Sequence, residues 1–74
     1  MVLNPPFHDG NAVDPGVAHR LIAEAGRVLQ DGGHLWCVWN SHLRYRPLLE
    51  RLIGPTHQVA RDRQFTVTVS TRRR

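Results

Sequence analysis

The 74-residue chain contains no lysine; all ten of its basic residues are arginine. It has one cysteine, Cys37, which excludes an internal disulfide and fits a reducing compartment. No apolar run approaches the roughly 18 residues of a membrane span. The first residues carry no basic region followed by a long apolar stretch, so no secretory signal is visible. The expected location is cytoplasmic. Five histidines stand at 8, 19, 34, 42 and 57, without the close pairing that zinc sites use, and no metal is expected. A chain this short buries only about 60% of the surface that its unfolded form exposes, so one small domain is the most it can form. Its formal charge of +4 favours a polyanionic partner. Three of those charges are the terminal Arg72, Arg73 and Arg74, for which a frayed, solvated tail is the ordinary reading.

Periodicity then divides the chain. Val2-Leu3 reads as the end of a buried strand, and Asn4 to Val13, rich in Pro, Gly and Asn, as a loop. Asp14-Pro15 announces a helix, with a capping oxygen followed by a residue suited to the first turn. Val17, Leu21, Ala25, Val28 and Leu29 recur at spacings of three and four, and Gly32-Gly33 closes the helix. His34 to Trp39 is unbroken and aromatic, as expected of a strand with both faces largely covered. It places Trp36 and Trp39 on opposite faces, where packing against helices is the expected role. Cys37 between them reads as a small core residue. Ser41 is positioned to cap a second helix, Arg46 to Ile53, with Leu48, Leu49, Leu52 and Ile53 on one side and Gly54-Pro55 as its stop. From His57 onward the period changes to two, most clearly in Gln64 to Ser70, with Arg61-Asp62-Arg63 as a hairpin turn that lacks glycine. The order is strand stub, helix, strand, helix, antiparallel hairpin: an α/β pattern.

One short stretch does not follow from fold alone. In Asn4-Pro5-Pro6-Phe7 each proline removes a backbone donor and pushes the preceding residue towards extended geometry. In open α/β sheets, ligands collect beyond the carboxyl ends of the strands, where this stretch stands. The prolines hold a rigid turn whose acceptors, the Asn4 amide and the Asn4 and Pro5 carbonyls, face one way beside the Phe7 ring. A planar group with an exocyclic amine suits such a corner. Its NH2 donates to the acceptors while its ring stacks on Phe7, a contact worth roughly 1–3 kcal/mol per base.

Leu3-Asn4-Pro5-Pro6-Phe7-His8 is similar to the (Asn/Asp)-Pro-Pro-(Tyr/Phe) motif of class I S-adenosylmethionine-dependent methyltransferases that act on exocyclic amino groups. With Leu29 before Gly32-Gly33, then Val38-Trp39-Asn40, Leu43-Arg44-Tyr45, and Phe65 with Val67, the chain resembles the ribosomal RNA guanine-N2 methyltransferases of the "methyltransferase small" domain. The resemblance implies a Rossmann-like sheet, S-adenosylmethionine as cofactor and ribosomal RNA as partner. Asn4 would accept from the guanine N2 amine beside the cofactor, with the Pro5 carbonyl as second acceptor and Pro6 stiffening the turn. Phe7 would stack on the base. His8 and Asn40 would border the substrate. Arg44, Tyr45 and Arg46 open the second helix, with a solvated or packing role expected and phosphate contact the minor reading for the arginines.

The family's glycine-rich cofactor turn and the acidic residue after its second strand have no counterpart here: no Gly-x-Gly occurs. Residues 1–74 are therefore expected to form a partial domain, the carboxyl-terminal, substrate-motif half, inactive alone, with a separately encoded amino-terminal half as a candidate partner. Two other readings stay open. One is an inactive truncated product or small basic RNA-binding remnant. The other is an amino-methyltransferase acting on adenine or another amine.

Overall fold

The computed structural model describes residues 1–4 and 15–73. Within them the chain forms β1 (Val2–Leu3), α1 (Pro15–Val28), β2 (His34–Asn40), α2 (Arg46–Leu52), β3 (Thr56–Arg61) and β4 (Phe65–Thr71). The α/β order matches the sequence reading. The expected Asp14 cap and the Asn4–Val13 loop fall almost wholly outside the described residues.

The four strands make one sheet in the order β1-β2-β4-β3. β1 runs parallel to β2, with Leu3 opposite Cys37. β4 is antiparallel to both of its neighbours, β2 and β3. The hairpin is thus present, and its second strand inserts between β2 and β3. Its turn manages without glycine because Asp62 organises it. The Asp62 carboxylate accepts from the Gln64 and Phe65 backbone N–H groups at 2.8 and 2.7 Å, and the Asp62 N–H donates to the Phe65 carbonyl at 2.9 Å.

Both helices lie on one face. Ile22 and Ala25 from α1, Leu49 from α2 and the adjoining Ile53 pack with Leu35, Cys37 and Trp39 of β2. The helix α1 stripe is rotated from expectation: Ala18, Ile22 and Ala25 are its buried line, while Val28 is half exposed. Small residues win that line because α1 approaches α2 closely; a Cβ on Gly26 would lie 3.0 Å from both Ile53 Cδ1 and the Leu52 carbonyl oxygen. Cys37 is a core residue as expected, and burial pushes its thiol up to about 12.

Two expectations fail on the other face. Among the described residues β2 is covered on one side only, with Trp39 buried and Trp36 40% exposed, so Trp36 packs under neither described helix. Val2 is 73% exposed on the same side of edge strand β1. Strand β4 inverts the usual polarity: Thr66, Thr68 and Ser70 are buried, while Phe65, Val67 and Val69 are only half-buried. Period two was legible, but the covered face is the hydroxyl one. The carboxyl end is also not a frayed tail as far as it is described. The Arg72 Nε donates to the Gly26 carbonyl at 2.6 Å, its backbone N–H to Gly33 at 2.8 Å, and the Arg73 N–H to Ile53 at 3.0 Å.

Gly54 sits where α2 turns into β3, at φ 156°. A Cβ there would overlap the Thr71 carbonyl oxygen and press on the Arg73 nitrogen at 3.1 Å. Gly54→Ala is therefore expected to cost on the order of 3 kcal/mol, the upper end for strained substitutions. Urea unfolding followed by circular dichroism would measure it, and an unchanged midpoint would refute this account of the corner.

Candidate nucleic-acid interface

β1 and β2 are parallel, so their carboxyl ends emerge at the same edge of the sheet. Asn4 follows β1 there. Its residue is exposed and no hydrogen bond ties its side chain to the other described residues. Pro5, Pro6, Phe7 and His8 lie outside the described residues, so the rigid corner itself has no geometry to report. Asn40 ends β2 on the same edge, half-buried. Its side-chain oxygen accepts from the His42 N–H at 3.3 Å and its carbonyl from the Leu43 N–H at 2.9 Å, which turns the chain sharply out of the sheet. The topology therefore brings Asn4 and Asn40 to one rim, with Asn40 engaged in holding its own loop.

That loop does not use Ser41 as expected. The N-cap of α2 is Tyr45, with no side-chain capping bond, and Pro47 occupies the first turn. Ser41 instead reaches across to the hairpin. Its hydroxyl donates to the Asp62 carbonyl at 2.8 Å and pairs with the Thr66 hydroxyl at 2.9 Å, while its N–H donates to Gln64 at 2.9 Å. Tyr45 packs edge-on against Trp39, ring centroids 5.9 Å apart, and burial raises its phenol, with the Cys37 thiol a lesser cause.

Between this loop, the start of α2 and strands β3 and β4 lies a cleft of about 510 Å³. Arg44, Arg46 and Arg61 line it, as do Trp39, Gln58 and Thr68, and no acidic residue among those described does. Arg46 is partly engaged, donating to the Thr56 carbonyl at 2.9 Å and lying 3.4 Å from Glu50. The Arg61 guanidinium reaches the Ser41 carbonyl at 3.5 Å. Arg44 has neither hydrogen bond nor ion pair among the described residues, and its side chain is exposed.

The buried hydroxyls of β4 show what this cleft lacks. Thr66 pairs with Ser41, and Ser70 pairs with Thr56 at 2.8 Å. Thr68, between them and fully buried, has no partner for its hydroxyl among the described residues. Sequence reasoning passed over Thr68, Gln58 and Arg61. The one available signal was three hydroxyl residues in succession on a single strand face. No group of histidine, cysteine or acidic residues among those described is arranged to hold a metal ion. No helix among them is long and apolar enough to cross a membrane.

The family model for the methyltransferase small domain matches residues 1–69. The chain belongs to that family. Among curated relatives, this methyltransferase small domain is 48% identical over 64 residues to the ribosomal RNA large subunit methyltransferase G of Streptomyces coelicolor, covering 86% of this chain and 17% of that protein. It is 42% identical over 67 residues to the ribosomal RNA small subunit methyltransferase C of Ectopseudomonas mendocina, covering 90% and 20%. Among solved structures it superposes on a T. thermophilus 16S rRNA N2 G1207 methyltransferase in complex with AdoMet and guanosine. The TM-score is 0.85 at 36% identity, covering 97% of this chain and 19% of that one. The chain thus spans about a fifth of the length of the relatives it matches.

The hairpin turn carries a pH dependence. The Phe65 and then the Gln64 N–H hold the Asp62 carboxyl below its ordinary value of 3.8. A lowered value in the folded state adds stability above the ordinary value, lost as pH falls through the folded one. Wild type should therefore exceed Asp62→Ala in melting temperature at pH 7, with the gap closing below pH 3.8. A gap that widens in acid would contradict this.

Thr68→Val keeps the shape of the side chain and removes an unpaired buried hydroxyl, whose desolvation costs about 1–3 kcal/mol. The variant should melt at a higher temperature than wild type; a lower one would mean that the hydroxyl has a partner.

Proposed function

We propose that this chain contributes the amine-holding rim of an S-adenosylmethionine-dependent methyltransferase that modifies the exocyclic N2 amine of guanine in ribosomal RNA. The observation that carries this reading is the exposed, uncommitted Asn4 at the shared carboxyl edge of two parallel strands, followed by Pro5-Pro6-Phe7-His8. The activities of the relatives support it. The guanosine and AdoMet held by the T. thermophilus enzyme favour guanine over adenine as the target.

The residues present fit the methyl-accepting end of such a site, and the remainder of a cofactor site is not among them. When bound, AdoMet supplies an electrophilic methyl group on a sulfonium. Asn4 lies beside it in this reading. The Asn4 side-chain oxygen and the Pro5 carbonyl accept the two N2 protons of guanine. That fixes the amine and directs its lone pair towards the methyl. The Phe7 ring stacks on the base, and His8 and Asn40 border it. The rate gain then comes from orientation and electrostatic placement, with no covalent enzyme intermediate.

A chimera tests this reading. Residues 1–74 replace the matching segment of the Streptomyces coelicolor relative, and transfer of tritiated methyl to ribosomal RNA is measured. Asn4→Ala should lower transfer by about 100-fold or more, the scale for losing one polar catalytic contact. AdoMet affinity should stay nearly intact. Undiminished transfer, or loss of AdoMet binding as the main effect, would overturn the assignment of Asn4.

A further inference from the structure

The arginine-lined cleft beyond β2 is not the rim at Asn4. Strand spacing is about 4.8 Å, so β4 and β3 stand roughly 10 and 14 Å from β1 across the sheet. The cleft opens on the helical face beside those two strands, while Asn4 stands at the end of β1. Its volume, about 510 Å³, falls within the range of ligand pockets.

Three features of the lining agree. The first is charge of one sign: Arg44, Arg46 and Arg61 with no acidic lining residue, Glu50 standing behind Arg46 as its only ion-pair partner among the described residues. The second is readiness. Arg44 is uncommitted, and the Arg61 contact to Ser41 is long, at 3.5 Å, so both guanidinium groups can turn to a ligand without losing a strong bond. The third is a polar wall behind the charge: on this face of β4, Thr66 and Ser70 are paired within the protein, and the closed-in Thr68 hydroxyl has no partner among the described residues. An empty apolar groove would show none of these. A tetrahedral anion held by the arginines answers the first two, since guanidinium groups match phosphate geometry, and it lies over a hydroxyl-bearing wall.

Resting on the proposed action on RNA, we infer that this cleft binds a backbone phosphodiester of the RNA strand flanking the target nucleotide, through Arg44, Arg46 and Arg61. The contact carries no sequence information; it sets the register of the strand so that one base is delivered to the rim at Asn4. The hairpin turn belongs to the same device. Ser41 is tied to Asp62 and Thr66, so the loop bearing Arg44 and the strand end bearing Arg61 are held as one wall.

The test is fluorescence anisotropy of the 74-residue chain with a labelled 12-nucleotide single-stranded RNA, at several salt concentrations. Arg44→Ala and Arg61→Ala should each weaken binding by about 5- to 10-fold at low salt and reduce the salt slope by no more than about 0.7, the value for one phosphate contact on a single strand. Arg20→Ala, which removes the same charge from the exposed surface of α1, should change affinity less than about twofold. Circular dichroism should show all three variants folded. Equal losses from all three arginines would reduce the effect to net charge and overturn the cleft. So would absence of RNA binding by the wild-type chain. Inorganic phosphate and guanosine monophosphate serve as competitors. Displacement of the RNA by either at micromolar concentration would make this a site for a free phosphate compound and overturn the backbone assignment; displacement only at millimolar concentration is expected. In the chimera the cleft variants should raise KM for RNA and leave AdoMet affinity unchanged. If they behave as wild type while Asn4→Ala abolishes transfer, the cleft is refuted and the proposed function stands. If they lose RNA while Asn4→Ala has no effect, the reverse holds.

Discussion

The antiparallel ladder between β2 and β4 is the constraint from which the remaining arrangement follows. It pairs His34 with Thr71 at one end and Asn40 with Phe65 at the other, seven residues in unbroken register. On one side of it β1 adds in parallel, and on the other β3 adds in antiparallel. Its helical face supplies Leu35, Cys37 and Trp39 to the core. A slip of one residue would turn those three outward and bring Trp36 and Val38 under the helices, so the register and the core specify each other.

The same ladder explains the buried hydroxyls. β4 lies between two strands, and its covered face meets Cys37 on one side and the Thr56–Gln58 stretch on the other. Threonine and serine fit there because they are small and suit extended backbone, and because partners exist for most of them. Ser41 answers Thr66 and Thr56 answers Ser70. Thr56 also donates to the Gly54 carbonyl at 3.0 Å, which links this polar layer to the close corner between α2 and β3. The chain end is drawn into the same region, where Arg72 and Arg73 bond the backbone near Gly26, Gly33 and Ile53. Stability in so small a unit therefore rests on backbone and hydroxyl bonds as much as on apolar burial.

The sites proposed for this family member lie where the ladder stops. Asn40 ends β2 by folding its side chain onto His42, and the loop that follows supplies Ser41 and Arg44. β1 ends beside it with Asn4 exposed. The sheet thus presents two chemistries at one edge region, an amide rim and a guanidinium-lined cleft. A nucleic acid offers a counterpart to each: a base edge for the first and a phosphate for the second.

The amino-acid sequence by itself determined which segments become helices and strands, since glycine stops and periods of 3.6 or two act locally. It also supplied the side-chain types of the Asn4–Phe7 motif, on which the proposed amine-holding role is argued. Only the tertiary structure decided which side of each strand is covered. Alternation defines two faces of β2 and β4 without saying where the helices will land, and here they cover Thr68 and leave Trp36 open. The insertion of β4 between β2 and β3, the anchoring of Arg72, and the meeting of Arg44 with Arg61 were equally beyond local reading. Each depends on residues far apart in the chain, whose proximity is set by the crossing path of the backbone and not by their neighbours in sequence.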